Sequence, residues 1–163
     1  DGAGRIVLMS NRTAVLGFLV VAAALAGCPK NIPEIPVLNP KLTDEEQVMR
    51  VLDEVWQGME NQRIYQVMTH VSRSYQDRDG RDYDALAAYL NKVFDEYRNI
   101  KIARVKPRII AQGNQARAVE TFGTIAKPDN RSDFPPIDLH GQVTVFFEKV
   151  DGRWLIVEWG SIR

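Results

Sequence analysis

A chain of 163 residues, 45% apolar and 26% charged, is long enough for one ordinary domain with appendages and too apolar to be disordered. Lys plus Arg balance Asp plus Glu at 21 each; without residues 1–27, which carry Arg5, Arg12 and Asp1, 19 basic residues face 20 acidic ones, and no basic cluster remains. That argues against a nucleic-acid partner, while one cysteine and two histidines, His70 and His140, offer no disulfide and no His-based metal site, so no metal or cofactor is read from the residues.

From Ala14 to Gly27 the chain is uncharged and almost wholly apolar. At roughly 14 residues the run is shorter than the about 20 a membrane-spanning helix needs, and it lacks the polar face of a core helix. Its length, and the small positive segment "MSNRT" before it, are those of a signal-peptide hydrophobic region. Residues 9–27 are therefore read as a signal peptide with Met9 as initiator, and residues 1–8, "DGAGRIVL", as upstream translated sequence or vector-derived residues.

The end of that run, Leu25-Ala26-Gly27-Cys28, resembles the bacterial lipobox: an apolar residue, two small residues, then cysteine. The resemblance implies cleavage before Cys28, a diacylglyceryl group on its sulfur and an acylated new amino terminus. Several acyl chains, each contributing about 0.8 kcal/mol per buried methylene, make a durable anchor. Pro29 stands where Asp retains Gram-negative lipoproteins in the inner membrane, so the resemblance implies an outer-membrane protein facing the periplasm in such a host.

Prolines 29, 33, 36 and 40 then mark residues 28–41 as an extended tether. At about 3 Å per residue it would hold the domain on the order of 40 Å from the lipid surface. An ordered strap packed through Ile32, Ile35, Val37 and Leu38 is the alternative.

The domain, residues 42–163, opens with Thr43 and Glu46 spaced as a capping box. Val48, Leu52, Val55 and Met59 recur at helical spacing, with Val51 and Trp56 widening the stripe. A second helix is expected from Ile64 to His70. A third is expected from Asp82 to Arg98, with Leu86, Leu90 and Phe94 on one face. After Asn99 the period changes to that of strands. "IKIARVKPRII", "QARAVETFGTIA", "IDLHGQVTVFFEKV" and "RWLIVEWGSI" give about four, with turn signals at Gln112-Gly113-Asn114 and Val150-Asp151-Gly152-Arg153. Three helices followed by hairpin-linked strands predict an α+β domain, its helices packed on one face of a curved antiparallel sheet.

That order resembles the nuclear transport factor 2-like superfamily, in its SnoaL-like bacterial branch. The pieces that carry the likeness are "GMENQR" closing the first helix, "SRSYQDRDG" after the second, the third helix, and "GQVTVFFEKVDGRWLIVEWG" at the end. The resemblance implies a cone with a pocket at its open end, and in many members a dimer through the outer sheet face. It also implies a range of functions, from isomerases and dehydratases to binding and assembly modules.

Enzymes of this superfamily place a carboxylate or His in the pocket, often with a Tyr or Trp donor, and an apolar surround raises the carboxylate's pKa towards neutrality. Tyr65, His70, Tyr75 and Asp77 are the candidates for a pocket mouth here, and Glu120, His140 and Trp159 the candidates reaching it from strands. None lies in a motif that carries over from an enzymatic relative. Each has a plainer reading: His70 as a cap or interface residue, the aromatics as core, Glu120 as a solvent-facing strand residue. "DRDGRD" (Asp77 to Asp82) spaces aspartates like a calcium loop but lacks the rest of one, and Arg78 and Arg81 oppose a cation. A turn at Asp79-Gly80 followed by an Asp82 helix cap accounts for it.

The leading expectation is a lipid-anchored envelope protein whose pocket-forming domain is non-catalytic and binds a small apolar ligand or a protein partner. The alternatives are a cofactor-independent proton-transfer enzyme, isomerase or dehydratase, and a structural subunit dimeric through the sheet. The last would use an outer face where Thr144, Phe146 and Glu148 alternate in exposed positions.

Overall fold

The structure is a computed structural model that describes residues 41–131 and 133–163. Residues 1–8, the expected signal peptide with Leu25, Ala26 and Gly27, the lipidation residue Cys28, and the tether up to Pro40 lie outside the described residues. No helix among the described residues is long and apolar enough to cross a membrane.

Helix α1 (Asp44–Glu60) begins at the expected capping box: Glu46 N donates to Thr43 Oγ1 at 3.2 Å, and Thr43 N to Glu46 Oε2 at 2.8 Å. Asp44, Glu45 and Glu46 add negative charge where the helix dipole favours it. Its apolar stripe buries Val48, Val51, Leu52, Val55 and Trp56. Helix α2 (Ile64–Met68) is shorter than expected, ending before Thr69, and packs closely on α1 at Gly58. Helix α3 (Tyr83–Glu96) is capped by Asp82, whose Oδ1 accepts from Ala85 N at 2.8 Å, and buries Leu86, Leu90 and Phe94. It stops short of Arg98 because Tyr97 is already extended, at φ −121° and ψ 151°.

Five strands follow, not four: β1 (Tyr97–Arg104), β2 (Arg108–Gln112), β3 (Gln115–Pro128), β4 (Ile137–Val150) and β5 (Arg153–Trp159). "IKIARVKPRII" divides at Val105-Lys106-Pro107, where proline brings no N–H to a ladder. Both pieces pair antiparallel with the long β3, β1 along Phe122–Pro128 and β2 along Gln115–Val119, and the rest of the sheet runs β3-β4-β5. Asp151 (φ 49°) and Gly152 (φ 77°) make the two-residue turn between β4 and β5.

Alternation then decides the core. Ala116, Ala118, Glu120, Phe122 and Ala126 of β3, Val143, Val145 and Phe147 of β4, and Trp154 and Ile156 of β5 are buried together with the apolar stripes of the helices. Thr144, Phe146 and Glu148 on the other face are half-buried rather than exposed. Glu148 is engaged there, accepting from Ser72 Oγ at 2.6 Å and Ser74 Oγ at 3.0 Å. Residues 70–76 lie along the outer edge of β5. Ser72 N donates to Ile156 O at 2.8 Å, Ile156 N to His70 O at 2.8 Å and Gln76 N to Val157 O at 3.0 Å. This edge contact fixes the chain that leads directly into Asp77.

Candidate functional site

Beyond Phe122 the inner face of β3 carries the smaller Thr124 and Ala126, and Gly141 of β4 lies opposite Phe122 without a side chain. Helices α1 and α3 do not fill the space this leaves. A cavity of about 460 Å³ results, with Trp56 and Met59 of α1, Leu86, Leu90 and Val93 of α3, and Phe122 and Val143 of the sheet in its walls. Ile162 reaches its rim over Gly141, where any side chain would collide with it. Trp56 and Trp159 meet edge to face at 5.8 Å, and Trp56 lies 5.8 Å from Phe122, so the floor is aromatic.

The charged groups of the lining gather in one turn, Asp77 to Arg81. Asp77 is buried, and its Oδ1 accepts from Asp79 N at 3.0 Å and Arg81 N at 2.9 Å. Its Oδ2 takes Arg81 Nε at 2.8 Å and the Tyr75 hydroxyl at 3.3 Å. Burial works to raise the Asp77 pKa, but the Arg81 backbone N–H and guanidinium and the Tyr75 hydroxyl together outweigh it, and the carboxyl is held below its usual range. Burial, and then the charge of Asp77, push the Tyr75 phenol well above its ordinary value. Asp77 is therefore a fixed carboxylate, and Tyr75 a neutral donor beside it. Gly80, at φ 80°, allows the turn that brings the two N–H groups onto one oxygen.

Of the sequence candidates, Tyr75, Asp77 and Trp159 line the cavity together, and the other four do not. Tyr65 is 89% exposed, because α2 turns Val67 and Met68 inward and leaves Tyr65 on its solvent side. His70 follows α2 and meets Glu54 of α1, with Nε2 to Oε2 at 2.8 Å. His140 falls on the outer face of β4, since its neighbours Leu139 and Gly141 take the inner positions, and it contacts Asp138 at 3.0 Å.

Glu120 is wholly buried rather than solvent-facing, because it shares the inner parity of Ala118 and Phe122. Trp56, which does line the cavity, donates its indole N–H to both Glu120 oxygens at 2.9 and 3.0 Å. Arg104 reaches Glu120 at 3.3 Å and Asp53 at 2.6 Å, beside a second, smaller groove that Trp56 also lines. Burial raises the Glu120 pKa against the lowering influence of Trp56 and Arg104.

Sequence reasoning overlooked Arg78, Arg81, Tyr89 and Thr124 as cavity residues. Thr124 carried a signal: it has the parity of Phe122 and Ala126, a polar residue at an inner position. The two arginines carried none beyond proximity to Asp77. Among the described residues no cluster of His, Cys, Asp and Glu could hold a metal ion.

No family model and no curated protein matches the chain. Solved structures do. A protein from Novosphingobium aromaticivorans, provisionally assigned as a scytalone dehydratase, superposes with a TM-score of 0.63 at 15% identity, over 72% of this chain and 80% of that one. A provisionally assigned dehydratase of the nuclear transport factor 2-like family from Streptomyces avermitilis gives 0.61 at 10% identity, over 71% and 92%. A nuclear transport factor 2-like superfamily protein from Salmonella enterica gives 0.61 at 12% identity, over 71% and 87%. At such identities the likeness establishes the fold: helices followed by an open, curved antiparallel sheet, in the nuclear transport factor 2-like arrangement.

Proposed function

We propose that this nuclear transport factor 2-like domain is a binding module for a small apolar ligand, carried on a bacterial envelope lipoprotein anchored through acylated Cys28. The observation that carries the binding reading is the cavity of about 460 Å³ with aromatic and aliphatic walls, whose charged lining is confined to one ion-paired turn. A site of that size, apolar with few polar groups, suits a small organic molecule. No histidine lines it, and Asp77 is already committed to Arg81 and two backbone N–H groups, which lowers its basicity. Membrane anchoring rests on the lipobox resemblance alone. An outer-membrane position in a Gram-negative host, a protein partner, and a homodimer through the outer sheet face remain proposals of the same kind.

The test is titration with Nile red, an uncharged apolar fluorophore, of the chain carrying Cys28→Ser and purified without detergent. Saturable binding at one site is expected, with blue-shifted emission. Leu139→Trp, at a 40% exposed position of the cavity lining, should weaken it by about tenfold or more by filling the space. Absence of saturable binding, or binding indifferent to Leu139→Trp, would remove this reading.

A second reading, a cofactor-independent proton-transfer enzyme, is favoured by one contact: the Tyr75 hydroxyl and Asp77 carboxylate, 3.3 Å apart in the cavity wall. They could serve as donor and base beside a carbonyl, and two of the structural neighbours are provisionally assigned as dehydratases. Turnover of a ketone substrate, lost in both Tyr75→Phe and Asp77→Asn, would distinguish it from binding alone.

A further inference from the structure

The polar groups of the cavity are arranged in a way that bears on what kind of ligand enters it. Its lining contains two cations, Arg78 and Arg81. Arg81 is held between Asp77, at 2.8 Å, and Asp79, at 2.6 Å, with its guanidinium 4.9 Å from the centre of the Tyr89 ring. Arg78 pairs with Glu158 at 3.1 Å. Within the turn Arg78 and Arg81 balance Asp77 and Asp79, and with Glu158 of β5 three carboxylates face the two guanidinium groups. Neither cation is spare. A carboxylate entering beside this turn would lose its water and meet no unpaired cation.

At the same time the wall formed by β1, β3 and β4 carries one hydroxyl. Thr124 pairs in register with Ile102 of β1 and Leu139 of β4, and all three line the cavity. A hydroxyl on an apolar wall can both donate to and accept from an uncharged oxygen on a ligand.

Resting on the binding reading above, we propose that the cavity selects an uncharged amphiphile and rejects the carboxylate of the same size. Its ligand has an apolar body on the scale of a medium-length alkyl chain or a small fused-ring skeleton, with a hydroxyl or carbonyl oxygen that meets Thr124. Aromatic floor, hydroxyl-bearing wall and closed ion pairs each serve one part of that molecule.

The experiment is isothermal titration of the chain carrying Cys28→Ser with decan-1-ol and with decanoate at pH 8, below their aggregation concentrations, repeated with Thr124→Val added. Decan-1-ol is expected to bind at least tenfold more tightly than decanoate. Thr124→Val, which keeps the shape and removes the hydroxyl, is expected to weaken decan-1-ol by about threefold to tenfold and leave decanoate unchanged. Decanoate binding as tightly as the alcohol, or more tightly, overturns the inference and leaves the binding reading standing. An alcohol affinity untouched by Thr124→Val also overturns it, since the preference would then be partitioning alone. Binding of neither amphiphile overturns the binding reading, and the inference with it.

Discussion

Glu120 has no solvent-exposed surface, yet it carries an ionisable group in the middle of the sheet's inner face. What makes this tolerable is local: two oxygens accept one indole N–H, and Arg104 approaches from the side while still held by Asp53. Burial raises its pKa in the folded state, so the native protein takes up the proton at a higher pH than the unfolded chain does. The stability Glu120 contributes through that proton is complete below the ordinary Glu value, about 4.3, and is lost as pH rises through the raised folded value. Glu120→Gln keeps an acceptor for Trp56 and never ionises. Its stability relative to the native chain should therefore improve between pH 4 and pH 7, measured by urea unfolding at each pH. Glu120→Ala leaves the indole N–H unsatisfied and opens a void, and should cost about 2–4 kcal/mol at pH 4 and less at pH 7. A Gln variant whose relative stability falls with pH would contradict this account of the site. Asp77 has the opposite sense: its lowered pKa contributes stability above the ordinary Asp range and loses it as pH falls through the folded value.

At the scale of elements, α2 is too short to form by itself and exists because α1 receives it. The seat is Gly58, where an added Cβ would lie 2.8 Å from Val67 Cγ2 and 3.3 Å from Gln66 Cβ. Exchanging a helical glycine for alanine ordinarily gains about 1 kcal/mol. Here overpacking should reverse the sign, and Gly58→Ala is expected to destabilise by about 1–3 kcal/mol in denaturant unfolding. A stabilised variant would mean that α2 can shift without loss. The same packing carries the chain on to the β5 edge and then into the Asp77 turn, so the position of α2 bears on the cavity although none of its residues lines it.

At the scale of the whole molecule, the described residues, 41–131 and 133–163, form one compact unit, and the proposed anchor lies before it in sequence. If Cys28 is the acyl site, Cys28→Ser expressed in a bacterial host should leave the membrane fraction and lose incorporation of labelled fatty acid. A native chain that is never acylated would end the lipoprotein proposal without touching the fold or the cavity, because anchor and cavity rest on separate observations.

The sequence by itself determined the helix caps, the apolar stripes, the hairpin turn and the α+β order, because each depends on residues within one or two turns of the chain. Thr43 with Glu46, Asp82, and Asp151-Gly152 are cases where local hydrogen bonds and dihedral preferences leave little choice. It also showed the alternation of Ala118, Glu120 and Phe122, but not which face of the sheet would be covered. Only the tertiary structure decided that Glu120 is inside, that His140 is outside, that Tyr65 faces water, and that Arg81 closes on Asp77 within a cavity wall. The physical reason is that burial belongs to whatever packs across a face, and here those partners lie tens of residues away: Trp56 for Glu120 and the tail at Ile162 for Gly141.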